Sequence, residues 1–271
     1  MSATTAAAPA IRAREAGWLR DVLTVAGRGL RSIPGDTEVL IPALIIPVFF
    51  FWVNVGSLQP LTQGANGAGF DFKAFQIPTA IIFGVTGLTR APTLVLDIQN
   101  GYFDRLLMTP VRRTALLFGL MASDFVLAMV MTIPVLLLGV VVGVDYATGL
   151  AGWAFILLIA AFWSLAYAGF PYAIALKTGN PAAVNTSFVI FLPLVFLTSA
   201  FVPRDNLTGW LDVVATFNPV TYVLEGMRSL IMVGWDPAAL GAAALSIAGL
   251  IGVSLSLSML ALRSRINSGQ R

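Results

Sequence analysis

Cysteine and histidine are absent from this sequence, and acidic and basic side chains together make up only 11% of it. Without cysteine there is no disulfide, no thiolate nucleophile and no thiolate metal site. Without histidine the commonest proton shuttle and metal ligand are missing as well. Soluble domains carry roughly 25% charged residues, so this chain has too little polar surface for a soluble fold. Carboxylates do not cluster: apart from Asp36 and Glu38, no two acidic residues lie within two positions of each other. That spacing argues against a membrane enzyme that holds Mg²⁺ around phosphates, such as a prenyl or phosphoryl transferase. A phosphate-cradling G-x-x-x-x-G-K-[ST] loop is missing too, because neither Lys73 nor Lys177 follows a glycine.

What the chain does contain is apolar sequence, 58% of 271 residues. Runs of some 20 apolar residues match the ~30 Å hydrocarbon core of a bilayer. Six are separable by turn residues and charges, at 39–58, 77–95, 115–143, 151–176, 182–202 and 238–262. The expected fold is all-α and integral to the membrane, with six transmembrane helices. Between the last two runs, 203–237 holds amphipathic pieces broken by Pro203, Asn218–Pro219 and Asp236–Pro237. Its pattern suits short re-entrant helices better than a full span. No metal site and no cofactor of its own is expected in this chain.

The basic residues are unevenly shared among the loops. Twelve fall on one side: Arg12, Arg14, Arg20, Arg28, Arg31, Arg105, Arg112, Arg113, Lys177, Arg263, Arg265 and Arg271. Three fall on the other, Lys73, Arg204 and Arg228, while Arg90 lies inside the second run. Positive charge is retained on the cytoplasmic side, so both termini are expected there and 203–237 outside. A net charge of +3 with no basic stripe fits an anionic membrane surface and gives no nucleic-acid footprint. Residues 1–15 and 263–271 read as cytoplasmic tails, the first of them disordered and without the charge order of a secretory signal.

Residues 16–34 are amphipathic at helical period. Trp18, Leu19, Val22, Leu23, Val25, Ala26, Leu30 and Ile33 share one arc, Arg20, Asp21, Thr24, Arg28, Arg31 and Ser32 occupy the other, and Pro34–Gly35 ends the pattern. A helix lying on the cytoplasmic face of the bilayer is expected.

The longest cytoplasmic loop is 97–114. Within it Tyr102, Phe103, Leu106 and Leu107 share one helical face, Asp104 and Arg105 the opposite one, and Pro110 stops the pattern. A stub of helix, apolar beneath and charged above, suits insertion into a groove on a soluble partner. Gly101-Tyr-Phe-Asp-Arg-Leu-Leu-Met-Thr-Pro-Val-Arg-Arg113 here, and Asn218-Pro-Val-Thr-Tyr-Val-Leu-Glu-Gly-Met-Arg228 before the last run, resemble ABC type-2 permeases. Among these the chain is most similar to the daunorubicin-resistance-type exporters of bacteria.

The resemblance extends over nearly the whole chain in order and spacing. It implies a permease in a bacterial plasma (inner) membrane, paired with a second copy or a paralogue. Two separate ATPase subunits bind ATP and Mg²⁺, and a drug, lipid or lipid-linked molecule moves outward. It also implies that Gly101, Asp104, Arg105, Thr109, Pro110 and Arg113 couple to the ATPase, and that Asn218, Pro219, Glu225 and Arg228 sit in an extracellular gate.

Arg90 and Asp124 are the charges most clearly within the spans, each costing on the order of 2.5–3.5 kcal/mol at a helix centre. They are expected either to pair, pinning the spans that flank the loop, or to face a hydrated cavity. Gly139-Val-Val-Val-Gly143 fits the small-xxx-small pattern of close helix approach. Phe49, Phe50, Phe51, Trp52, Phe188, Phe191 and Phe196 offer aromatic surface for an apolar substrate. A secondary transporter is the alternative, but it would favour inverted repeats and several intramembrane acids or histidines, which this sequence does not display.

Overall fold

Four helices of this chain begin where an Asx side chain caps them, at Asp71, Asn180, Asn218 and Asp236. The computed structural model describes residues 17–35, 37–66, 69–102, 105 and 112–268. Within these, Asn180–Pro181, Asn218–Pro219 and Asp236–Pro237 each open a helix. The Asx oxygen accepts main-chain N–H bonds, as in Asn180 from Ala182 at 2.9 Å and Asp236 from Ala238 at 2.9 Å. Proline stands at the first helical position, where its missing N–H costs nothing.

Ten α-helices and no strand are found among the described residues: α1 Trp18–Ser32, α2 Thr37–Asn66, α3 Phe72–Thr86, α4 Ala91–Gln99, α5 Arg113–Val141, α6 Gly149–Thr178, α7 Pro181–Phe196, α8 Trp210–Phe217, α9 Pro219–Arg228 and α10 Pro237–Ser268. The expected tail at 1–15, most of 103–111 and the last three residues lie outside the described residues.

Five stretches are long and apolar enough to cross a bilayer: Leu40–Pro60, Phe72–Gln99, Thr114–Val141, Gly149–Thr178 and Pro237–Asn267. The apolar helix Pro181–Phe196 has 16 residues, about 24 Å of rise and short of the ~30 Å core. Beyond it the chain turns, and its carbonyls at Leu197 and Ala200 accept bonds from Asn218 and Thr79.

The second run, expected as one span over 77–95, is two helices, α3 and α4, separated at Gly87–Arg90. Pro92 follows directly and has no N–H with which to carry a helix through the break. Two buried apolar clusters meet here, one built on Phe75, Ile81, Trp163 and Phe191, the other on Leu94, Leu117, Met121 and Tyr172.

The stretch α3–α4 is the centre of the bundle, 72% buried, against 17% for Leu40–Pro60 and 22% for Pro237–Asn267. The most extensive helix pair is α6 with α10. Gly169 permits that approach, since a Cβ there would stand 2.5 Å from the Ser254 main-chain carbonyl. The Gly139/Gly143 pair is not such a contact. Gly139 faces the Tyr146 hydroxyl, and Gly143 closes α5 at φ +85°.

Loops gather at two ends. At the loop end, Gln99 donates to the Gly179 carbonyl at 2.9 Å and Arg265 to that of Leu176 at 3.3 Å. At the cap end, Lys73 donates to the Val142 carbonyl at 3.1 Å, and Ala147 to that of Ile231 at 2.9 Å.

Candidate functional site

At the loop end, α1 holds both ends of the 97–114 loop. Arg28 pairs with Asp97 at 2.9 Å, and its guanidinium lies 4.7 Å from the centre of the Tyr102 ring. At the far end of the loop, the Arg112 main-chain N–H donates to the Asp21 carboxylate at 3.3 Å, and the Trp18 indole N–H donates to the Thr114 hydroxyl at 3.1 Å. The same ring meets Phe118 edge-on at 5.7 Å. Gly101 ends α4 in the left-handed region at φ +68°, a conformation that glycine adopts without a Cβ penalty, and turns the chain out into the loop.

Contacts along α1 and α5 advance in step, from Trp18 with Thr114 to the close approach of Gly29 and Ser123. α1 therefore runs beside α5 for about 14 Å. Its buried side is Asp21, Val22, Ala26 and Gly29, while Leu19 and Leu23 from the apolar arc stay exposed.

Deeper in, the break between α3 and α4 leaves main-chain N–H groups that hydrocarbon cannot satisfy. Asp124 of α5, wholly buried, takes the Arg90 N–H at 3.0 Å and the Tyr172 hydroxyl of α6 at 2.7 Å. A carboxylate at the positive end of a helix is favourably placed. The Arg90 side chain reaches away to the Ser32 hydroxyl at 2.7 Å, the last residue of α1. Arg90 thus joins the break both to Asp124, through its main chain, and to α1, through its guanidinium. Replacing Asp124 by leucine strands one N–H and one O–H, each costing about 1–3 kcal/mol. Asp124→Asn keeps an acceptor and is expected to cost under about 1 kcal/mol. Thermal unfolding in detergent measures both; equal losses would show that hydrogen bonding to Asp124 is not what holds the break.

At the cap end, Arg228 is buried and ties α9 to two other segments. Its guanidinium donates to the Phe75 carbonyl (3.2 Å), the Ser199 hydroxyl (3.2 Å), the Thr79 hydroxyl (3.4 Å) and the Ala200 carbonyl (3.2 Å). It also lies 3.5 Å from the centre of the Phe75 ring. Gln76 and Thr79 add bonds of 3.3 and 2.9 Å to the same Ala200 carbonyl. Asn218 caps α9 by accepting from Val220 at 3.0 Å, and its amide donates back to Leu194 at 2.6 Å and Leu197 at 3.0 Å.

Glu225 pairs with Arg204 at 3.3 Å, and Arg204 also reaches the Thr216 hydroxyl at 3.2 Å. Partial burial works against the Arg204 charge, but Glu225 and Tyr222 outweigh it and hold the guanidinium above its ordinary value.

Of the residues singled out in the loop, Gly101 and Arg105 are described, with the Arg105 N–H donating to the Gly101 carbonyl at 3.2 Å. Arg113 opens α5. Asp104, Thr109 and Pro110 lie outside the described residues. Asn218, Pro219, Glu225 and Arg228 come together on α9. Sequence reasoning missed Trp18, Asp21 and Arg28 as the holders of the loop, Tyr172 as the partner of Asp124, and Gln76, Thr79 and Ser199 around Arg228. Only Asp21 carried a local signal, as the one acid on the polar arc of its helix.

Long apolar helices around a broken central pair, with polar networks at the two ends and at the break, define a helical membrane protein. Residues 22–232 match the family model described as ABC-2 type transporter, and the chain belongs to that family. It is 24% identical over 235 residues to the daunorubicin resistance ABC transporter permease protein DrrB1 of Streptomyces coeruleorubidus, covering 84% of this chain and 79% of that one. Similarity to the probable doxorubicin resistance ABC transporter permease protein DrrC of Mycobacterium tuberculosis is 25% over 223 residues, 80% of this chain and 73% of the relative. The putative transport permease ycf38 of Cyanophora paradoxa is 28% identical over 197 residues, 70% of this chain and 67% of its own.

Proposed function

We propose that this chain is the membrane subunit of an ATP-driven exporter, moving a hydrophobic or amphiphilic substrate (a drug, a lipid or a lipid-linked molecule) out of the cytoplasm or the inner leaflet. Two ATPase subunits on separate chains bind ATP and Mg²⁺, and a second permease copy or paralogue completes the pathway. The membrane is the bacterial plasma membrane, with the loop end and both termini in the cytoplasm. The chain makes six passes. The short α7 is the fifth, and α8 and α9 are re-entrant helices that close the outer side through Asn218, Pro219, Glu225 and Arg228.

The observation that carries this reading is the hold of α1 on both ends of the 97–114 loop, by Arg28 with Asp97 and by Asp21 with Arg112. A loop that merely reversed the chain would need 2–8 residues and no such fixing. With the loop held at both ends, a push on it is passed to α4 and α5. A cavity of about 250 Å³ between α2, the α3–α4 break and α7, lined by Phe83, Phe188, Thr89 and Asn185, supports a path for an apolar cargo with a few polar groups. Phe50 stacks on Phe83 at 4.6 Å beside it.

The test is ATP hydrolysis by the chain co-purified in lipid with the ATPase encoded beside it. Wild type is expected to form a complex whose hydrolysis depends on the membrane chain. Asp104→Arg and Arg105→Glu are expected to lose about tenfold of that dependence, equivalent to about 1.4 kcal/mol of coupling. If no ATPase binds and both variants behave as wild type, the loop is not a coupling element and the reading fails.

A further inference from the structure

A groove outside the sites described above runs between α6, α7 and α10 at the loop end and encloses about 490 Å³. Phe170, Ile174, Ile190, Leu194, Leu257 and Leu260 form its apolar walls, and Lys177 stands at its mouth. From Lys177 to Tyr167, at the inner limit of the lining, α6 advances about 15 Å. That is half of a ~30 Å hydrocarbon core, the depth of one leaflet.

Among the described residues, the three helices that line the groove bring only basic charge to its mouth. Between Asp145 and Asp205, and again after Asp236, the sequence has no acidic residue, so α6, α7 and α10 supply no carboxylate. Arg265 lies beside Lys177, donating to the Leu176 carbonyl at 3.3 Å. Asp97, on neighbouring α4, is held by Arg28 at 2.9 Å. A basic mouth to which α6, α7 and α10 bring no carboxylate, above an apolar slot one leaflet deep, is complementary to a molecule with an anionic head and an acyl tail.

We propose that this groove binds an anionic phospholipid of the leaflet facing Lys177, its phosphate at Lys177 and Arg265 and one acyl chain along Phe170, Ile190 and Leu257. The leaflet is the cytoplasmic one in the orientation proposed above. Binding itself needs neither the ATPase nor transport. A lipid here wedges α6 against α7 and α10, and so braces the loop end.

The experiment is native mass spectrometry of the full chain purified in detergent and offered an equimolar mixture of dioleoyl phosphatidylglycerol and dioleoyl phosphatidylcholine. Wild type is expected to retain phosphatidylglycerol in preference. Lys177→Gln reduces that preference about fivefold, the effect of one surface cation on an anionic lipid, and Lys177→Arg preserves it. Ile190→Trp, at an exposed wall position, fills the slot and lowers retention of both lipids. The proposal is overturned if wild type shows no headgroup preference, if Lys177→Gln keeps the preference, or if Ile190→Trp leaves phosphatidylglycerol retention unchanged. Because no ATPase is present, failure here leaves the exporter reading standing, and failure of the ATPase assay leaves this one.

Discussion

Arg28→Glu is expected to lower ATP-coupled transport at least about tenfold while leaving the fold almost as stable as wild type. The Arg28–Asp97 pair is partly open to solvent, with the two side chains 44% and 20% accessible. Pairs of that kind contribute about 0.2–1 kcal/mol. Its proposed role is positional. Arg28 also covers the Tyr102 ring at 4.7 Å, so the glutamate variant frees the entry to the loop and repels Asp97 from α1.

The exit, held by Asp21 and Trp18, stays in place, and the loop is left anchored at one end. Misplacement by about 1 Å at a working site can cost on the order of 100-fold, so a loss of at least about tenfold in membrane-dependent ATP hydrolysis is expected, with unfolding shifted by under about 1 kcal/mol. The double variant Arg28→Asp with Asp97→Arg restores the pair in reversed sense and is expected to recover most of the activity. If Arg28→Glu hydrolyses ATP and transports like wild type, α1 does not position the loop. If the reversed pair recovers nothing, the ion pair is not the means.

Arg228→Ala carries the largest expected effect on stability. The guanidinium is 8% exposed, makes four hydrogen bonds and packs 3.5 Å from the centre of the Phe75 ring. Hydrogen bonds to charged groups contribute about 1.5–3 kcal/mol each, and a desolvated cation over a ring about 2 kcal/mol. Against these stands the cost of burying the charge, which removal relieves. A net loss of about 3–5 kcal/mol is expected, including the cavity left behind. The loss falls on the junction of α3, the 198–200 turn and α9, so the cap end is expected to open first, seen as raised proteolysis at 201–209.

Arg228→Met separates the two causes. It keeps volume but supplies no donor, and is expected to recover the cavity share only. Arg228→Lys keeps charge but lacks the planar fork and is expected to fall between. Urea or SDS unfolding of the purified chain measures the series. Equal stability of Arg228→Met and wild type would mean that the hydrogen bonds contribute nothing net.

Much of the architecture is written in local pattern. Apolar runs separated by charges mark the bundle, and Asn218–Pro219 and Asp236–Pro237 announce helix starts because their geometry is set within four residues. The α1 amphipathicity and the unusual length of 97–114 are visible in the same way. The α3–α4 break was not read, although Gly87 and Pro92 flank it, because apolar composition runs straight through. Nor was the end of α7 at Phe196, where Leu197, Ala200, Phe201 and Val202 carry the apolar run on past Thr198 and Ser199.

By itself, then, the sequence determined that this protein is helical and lies in a membrane, where most helices begin, and which loop stands apart. Those properties follow from composition and from spacings of a few residues. The tertiary structure alone decided that Asp124 caps a break 34 positions away, that Tyr172 shares it, that Arg228 binds segments near residues 75 and 199, and that α1 holds both ends of the loop. The first three are polar groups removed from water that had to find partners elsewhere in the bundle, and the last joins elements far apart in the chain. Which partners they find depends on how the helices pack, and no local periodicity records that.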